Sequence, residues 1–109
     1  MAKKRKRYEN RQHVEEVSML RCCLSVFANA SDCNGPTQAH HLLKPWDGSR
    51  GMSLRANDKN VIPLCYYHHA MLHTKLGTEA NLFTKYNLKS DFGKDYAEYL
   101  FTKYEEEHL

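Results

Sequence analysis

The sequence predicts a small α+β domain stabilised by bound metal, on three observations. Five of the seven histidines fall in one window, as His40-His41 in an apolar run and as His68, His69 and His73 further on. All four cysteines (Cys22, Cys23, Cys33 and Cys65) lie within or upstream of that window. Short extended runs and helical stripes share the chain. Histidines at strand and helix spacing beside cysteines read as metal ligands before they read as packing. At 109 residues the chain is one domain with a modest core, so a bound ion would contribute materially to its folding.

Residues 1–8 form a basic tail around Lys3-Lys4-Arg5-Lys6-Arg7, which is expected to stay disordered and to be drawn to polyanions. A merely solubilising end is the plainer alternative. The rest, 9–109, is the domain. Its average surface is only mildly basic, because 16 Lys and Arg face 13 Asp and Glu, including Glu105-Glu106-Glu107. Val14, Val17 and Leu20, with charges between them, predict a helix over 8–20. Residues 22–27 (Cys-Cys-Leu-Ser-Val-Phe) predict a strand, and the Asn, Ser, Asp, Gly and Pro of 29–36 a loop with Cys33 in its turn.

Residues 37–43 are again strand-like and carry the His pair. Pro45, Gly48 and Gly51, among Lys44, Arg50, Arg55 and Lys59, predict a basic loop over 44–59. Val61-Ile62 suits a short extended piece ending at Pro63, followed by a helix over 64–76 that Gly77 stops. Thr78 can cap a short helix with Ala80, Leu82, Phe83 and Tyr86. Ser90 or Asp91 can cap a longer one, about 91–106, whose Phe92, Tyr96, Tyr99, Leu100 and Tyr104 form an apolar stripe. That spacing marks core rather than a base-stacking platform.

No apolar run has transmembrane length and no signal peptide follows the basic start, so a cytoplasmic protein without a membrane partner is expected. A vicinal Cys22-Cys23 pair in that setting argues for reduced thiols rather than a disulfide framework. Cys65 and His68, three apart on one helical turn, can share an ion with Cys33 and with Cys22 (or Cys23), since strand alternation sends those two to opposite faces. Such a Cys3His site is closed and structural. His69 and His73, four apart, can hold a second ion with His40, leaving positions open for phosphate and water. His41, beside a ligand but not on the ion, can act as general base. Asn60 can bond backbone groups and hold the strand that bears the base. His13 and His108 lie outside the window and receive no role.

The order Cys, Cys, His-His, Asn-Val-x-Pro-Leu-Cys-x-x-His-His, His runs from about residue 20 to 83. It includes Gln38-Ala39-His40-His41, Arg50-Gly51-Met52-Ser53, Ile62-Pro63-Leu64-Cys65 and Gly77 through Glu79 to Phe83. This pattern resembles the HNH (ββα-metal, His-Me finger) endonucleases, and among them small phage and prophage nucleases of the Ref and YbcO types. The resemblance implies a zinc-stabilised ββα-metal core over 20–86 with flanking N- and C-terminal helices. It implies His40, His69 and His73 as ligands of the catalytic ion, His41 as general base, Asn60 as the orienting residue, and Cys65 with His68 as the zinc-binding turn. Two departures stand out: His68 where a second cysteine is usual, and a long gap from Cys22/Cys23 to Cys33 where many members have two residues.

The expected function is metal-dependent hydrolysis of DNA phosphodiester bonds in phage or prophage DNA processing or recombination. Lys44, Arg50, Arg55, Lys59 and the run Lys3, Lys4, Arg5, Lys6, Arg7 would contact phosphates. The expected cofactors are a structural Zn2+ and a catalytic divalent ion, Mg2+ or Mn2+ first, with Ni2+ or Zn2+ as alternatives. The expected partners are DNA and a recombination or replication protein, in a bacterial host cytoplasm if the chain is phage-encoded. The rival expectation is a zinc-stapled DNA-binding accessory module without catalysis. A small-molecule zinc hydrolase fits less well, because the chain has no His-Glu-x-x-His.

Overall fold

The computed structural model describes residues 8–47 and 56–109. Lys3, Lys4, Arg5, Lys6, Arg7, Arg50 and Arg55, expected above to contact phosphates, lie outside the described residues, as does nearly all of the expected disordered tail. The elements in chain order are helix α1 (Arg11–Ser18), helix α2 (Cys23–Ala28), strand β1 (Thr37–His41), strand β2 (Val61–Cys65), helix α3 (Tyr66–Met71), a π-helical segment (Leu72–Leu76), helix α4 (Glu79–Lys85) and helix α5 (Phe92–Glu107). The fold is a small α+β arrangement in which helices pack around one two-stranded antiparallel sheet. None of the described helices is long and apolar enough to cross a membrane.

Helix α1 begins where the Asn10 side chain accepts the His13 N–H at 3.1 Å, and it buries His13 and Val17. The strand expected over 22–27 is instead helix α2. The Cys22 carbonyl accepts from the N–H groups of Ser25 and Val26, and Asn29, at φ 53° and ψ 32°, ends the helix in the left-handed region. A short apolar run fits either element, and burial here is not alternating: Cys23 and Leu24 are consecutive and buried, while Val26 and Phe27 are exposed.

Strand β1 pairs with β2 in the register His40↔Ile62, with Ala39 opposite Pro63. β2 therefore continues through Pro63 to Cys65 rather than ending at the proline. The reason lies in the ladder: Leu42 N–H bonds the Asn60 carbonyl and Tyr66 N–H the Pro36 carbonyl, which fixes the alternation and puts Pro63 at a non-hydrogen-bonded pair. Its missing N–H leaves no gap there.

The helix expected over 64–76 starts at Tyr66 and changes to π winding at Leu72, closed by the Gly77 N–H on the Leu72 carbonyl at 2.8 Å with Gly77 at φ 81°. The Thr78 hydroxyl caps α4 through the Asn81 N–H. In α5 the buried line is Gly93, Ala97 and Phe101, flanked by half-buried Phe92, Tyr96, Leu100 and Tyr104. Tyr99, expected on the stripe, is 58% exposed. Leu24, Leu42, Ile62, Leu64, Leu72, Leu82, Phe83 and Ala97 meet in one core, which fixes β1, β2 and α3 relative to one another.

Candidate functional site

Two separate clusters of metal-ligating atoms come together where the sheet meets α3. Cys22, Cys33, Cys65 and His68 form the first, with ligand atoms within 4.8 Å of one another. Cys65 ends β2 at the N-terminus of α3, and His68 lies on the first turn of that helix. Cys33 comes from the loop after α2, and Cys22 is the last residue before that helix. The three sulfurs surround His68 Nδ1 at 3.5 Å (Cys22), 3.7 Å (Cys33) and 3.1 Å (Cys65). A thiolate and an imidazole sharing a tetrahedral zinc would stand about 3.6 Å apart. The donor chemistry and spacing fit a metal such as zinc.

Cys23 takes no part; it is fully buried in the core, and burial pushes its thiol well up. Cys22 and Cys23 are separated by a helix start, not by the strand alternation that the sequence implied. Burial and the neighbouring Cys22 and Cys65 thiols push Cys33 up to about 12; a cation held by the group would offset that cost. On the far side of the ring, His68 Nε2 donates to Asp32 Oδ1 at 2.8 Å, and the Tyr86 hydroxyl donates to Asp32 Oδ2 at 2.6 Å. This carboxylate fixes the tautomer that leaves Nδ1 free for an ion. The hydrogen bond from Tyr86, and then that from His68, hold Asp32 below its ordinary range against burial.

His40, His69 and His73 form the second cluster, again with ligand atoms within 4.8 Å. His69 lies on α3 and His73 in the π-helical segment, their Nε2 atoms 3.2 Å apart. Two imidazoles on one tetrahedral ion would stand about 3.3 Å apart. Burial, then the neighbouring His40 and His73, pull His69 down to about 4, which favours its neutral imidazole with a lone pair available to a cation. His40 is 2% exposed, and its Nε2 contacts Glu79 Oε2 at 2.8 Å.

His41 pairs with Asp58: its Nε2 lies 2.8 Å from Asp58 Oδ1, and Asp58 Oδ2 accepts the Asn10 N–H at 2.8 Å. Asn60 is fully buried. Its side chain accepts the Trp46 N–H at 2.7 Å and donates to Asp47 and Asn57, while its carbonyl takes the Leu42 N–H just beyond His41. Asn60 thus joins the β1 end of the intervening loop to the β2 end. Of the expected phosphate contacts among described residues, Lys44 lines a pocket with Thr78, Glu79 and Lys94, and the Lys59 ammonium sits 5.0 Å above the Tyr8 ring.

The carboxylates of Asp32, Asp58 and Glu79 are the functional candidates that sequence reasoning passed over. They stand 36, 17 and 39 residues from their histidines, so no local spacing could announce them. The available signal was chemical: a ligating or proton-accepting histidine needs a partner for its second ring nitrogen.

Neither the curated proteins nor the solved structures give a match. A family model described as "Protein of unknown function (DUF968)" matches residues 1–86, a span that takes in every residue of both clusters together with Asp32, Asp58 and Glu79. On that match, the chain belongs to the DUF968 family.

Proposed function

We propose that this protein is a metal-dependent DNA endonuclease with an HNH-type ββα-metal core, acting in phage or prophage DNA processing or recombination. The observation that carries the reading is the convergence of His40, His69 and His73, with ligand atoms within 4.8 Å, beside His41, the next residue on the same strand, which is held by Asp58. The Cys3His group has the closed, thiolate-rich donor set of a structural zinc site. The trio has only three neutral donors, the open pattern of a catalytic site.

A divalent ion on His40, His69 and His73, magnesium or manganese before nickel or zinc, would supply Lewis-acid stabilisation of charge on the scissile phosphate and the departing 3′ oxygen. The chain's own groups do the rest. Asp58 orients His41 through its Nε2, and the imidazole takes a proton from water. The water oxygen attacks phosphorus, the bond to the 3′ oxygen breaks, that oxygen takes a proton from solvent while His41 returns its own to solvent, and the products end in 5′-phosphate and 3′-hydroxyl. Asn60 holds the strand end that carries His41. Lys44, Arg50, Arg55, Lys59 and the Lys3–Arg7 run supply phosphate contacts with little sequence preference and strong salt dependence.

The test is relaxation of supercoiled plasmid with magnesium, manganese or nickel. His41→Ala should lower nicking by at least about 100-fold with zinc content unchanged, as expected for loss of a general base. Full retention of nicking would refute the assigned base. A zinc-stapled module without catalysis would bind one tight zinc per chain and no second, exchangeable ion; it leaves the three clustered imidazoles without a task.

A further inference from the structure

Glu79 is 8% exposed and sits in the first turn of α4, a place from which it reaches across to β1. Its Oε2 lies 2.8 Å from His40 Nε2 and 2.7 Å from the backbone nitrogen of Leu43. A carboxylate this buried is costly unless its hydrogen bonds are made. A carboxylate only accepts, so the ring proton of His40 belongs on Nε2, and the lone pair it can give to an ion is on Nδ1.

We infer that Glu79 is a positioning residue: it holds His40 in the tautomer and ring orientation that can share an ion with His69 and His73, while the same oxygen accepts the Leu43 N–H and so is itself held in place. This rests on the ion site of the reading above and not on DNA cleavage. The arrangement repeats at a distance what Asp32 does for His68, so each cluster has one histidine braced by a carboxylate from a separate segment.

The test uses the full chain loaded with one equivalent of zinc and titrated with Co2+, followed by its visible absorption. Glu79→Gln, which keeps an acceptor oxygen but no charge, should weaken cobalt binding about tenfold, and Glu79→Ala about 100-fold, the range for loss of a partner behind a metal-bound histidine. Zinc content and far-UV circular dichroism should not change. Wild-type cobalt affinity in both variants, alongside loss of binding in His69→Ala, overturns the inference; should the alanine variant fail to fold, the glutamine variant decides. Weakened cobalt binding in a protein that never nicks DNA sustains Glu79 and removes the nuclease reading. Unchanged cobalt binding in a protein that does nick DNA has the opposite meaning. A wild-type chain that takes up no cobalt beyond the zinc equivalent removes both.

Discussion

His13 is the described side chain whose buried polar atom, Nε2, has no hydrogen-bond partner. The ring packs edge-on to Phe101 at 5.4 Å and beside Tyr104 at 5.0 Å, facing a cavity of about 120 Å³ that Glu16, Lys103 and Glu107 also line. Burial lowers its affinity for a proton, and the nearby Glu16 and Asp58 carboxylates only partly oppose this. The folded state therefore binds a proton less readily than the unfolded chain, whose histidine titrates near 6.5. The resulting contribution to stability is complete above that value and is lost as pH falls below it. His13→Phe, with the cavity beside it to receive the larger ring, should remove that slope and stabilise the fold by about 1 kcal/mol, since an orphaned polar atom is gone. Thermal melts from pH 7 to pH 5 check this, and a variant as acid-sensitive as the parent would contradict it.

At the scale of elements, the segment carrying Cys33 is held against α3 by two backbone bonds, Tyr66 N–H to Pro36 and Tyr67 N–H to Asn34. Gly35 lies between those acceptors at φ 85°, where a Cβ would come within 2.6 Å of Tyr66 Cβ. Gly35→Ala thus incurs both a left-handed backbone and a clash with a main-chain-proximal atom, about 2–4 kcal/mol together, and should loosen zinc with it. Gly77 has a similar φ of 81° but open space around it, so Gly77→Ala should cost only about 1 kcal/mol and leave zinc in place. Comparing the two by denaturant melts and zinc retention separates the steric term from the conformational one. The same contrast shows what was legible in the sequence. The caps at Thr78 and Gly77 and the strand around His40 are local chemistry, visible in a few residues. The helical state of Cys23–Ala28 and the π winding of Leu72–Leu76 are not: the first is a short apolar run without a period, and the second lies where His69 and His73 both meet His40 of β1, a residue distant in sequence.

For the whole molecule, the Cys22, Cys33, Cys65 and His68 group ties three segments that are distant in sequence: the start of α2, the loop after it and the β2–α3 junction. The members of this group were readable from residue types and the three-residue step from Cys65 to His68, whereas the grouping of Cys22 rather than Cys23 with them needed the fold, because it depends on which thiol the first turn of α2 turns inward to the core. That choice is directly testable. Structural zinc contributes about 10–16 kcal/mol in small zinc peptides, comparable with the roughly 5–15 kcal/mol that holds a whole domain. With zinc on this group, as proposed, Cys22→Ser should therefore release it and lower the melting temperature by well over about 10 °C, and a strong chelator should do the same to the parent protein. Cys23→Ala removes only a small core side chain, so it should cost about 1 kcal/mol and keep a full equivalent of zinc. If zinc instead leaves with Cys23→Ala and stays with Cys22→Ser, the ligand assignment reverses, and α2 must begin with its two cysteines turned the other way.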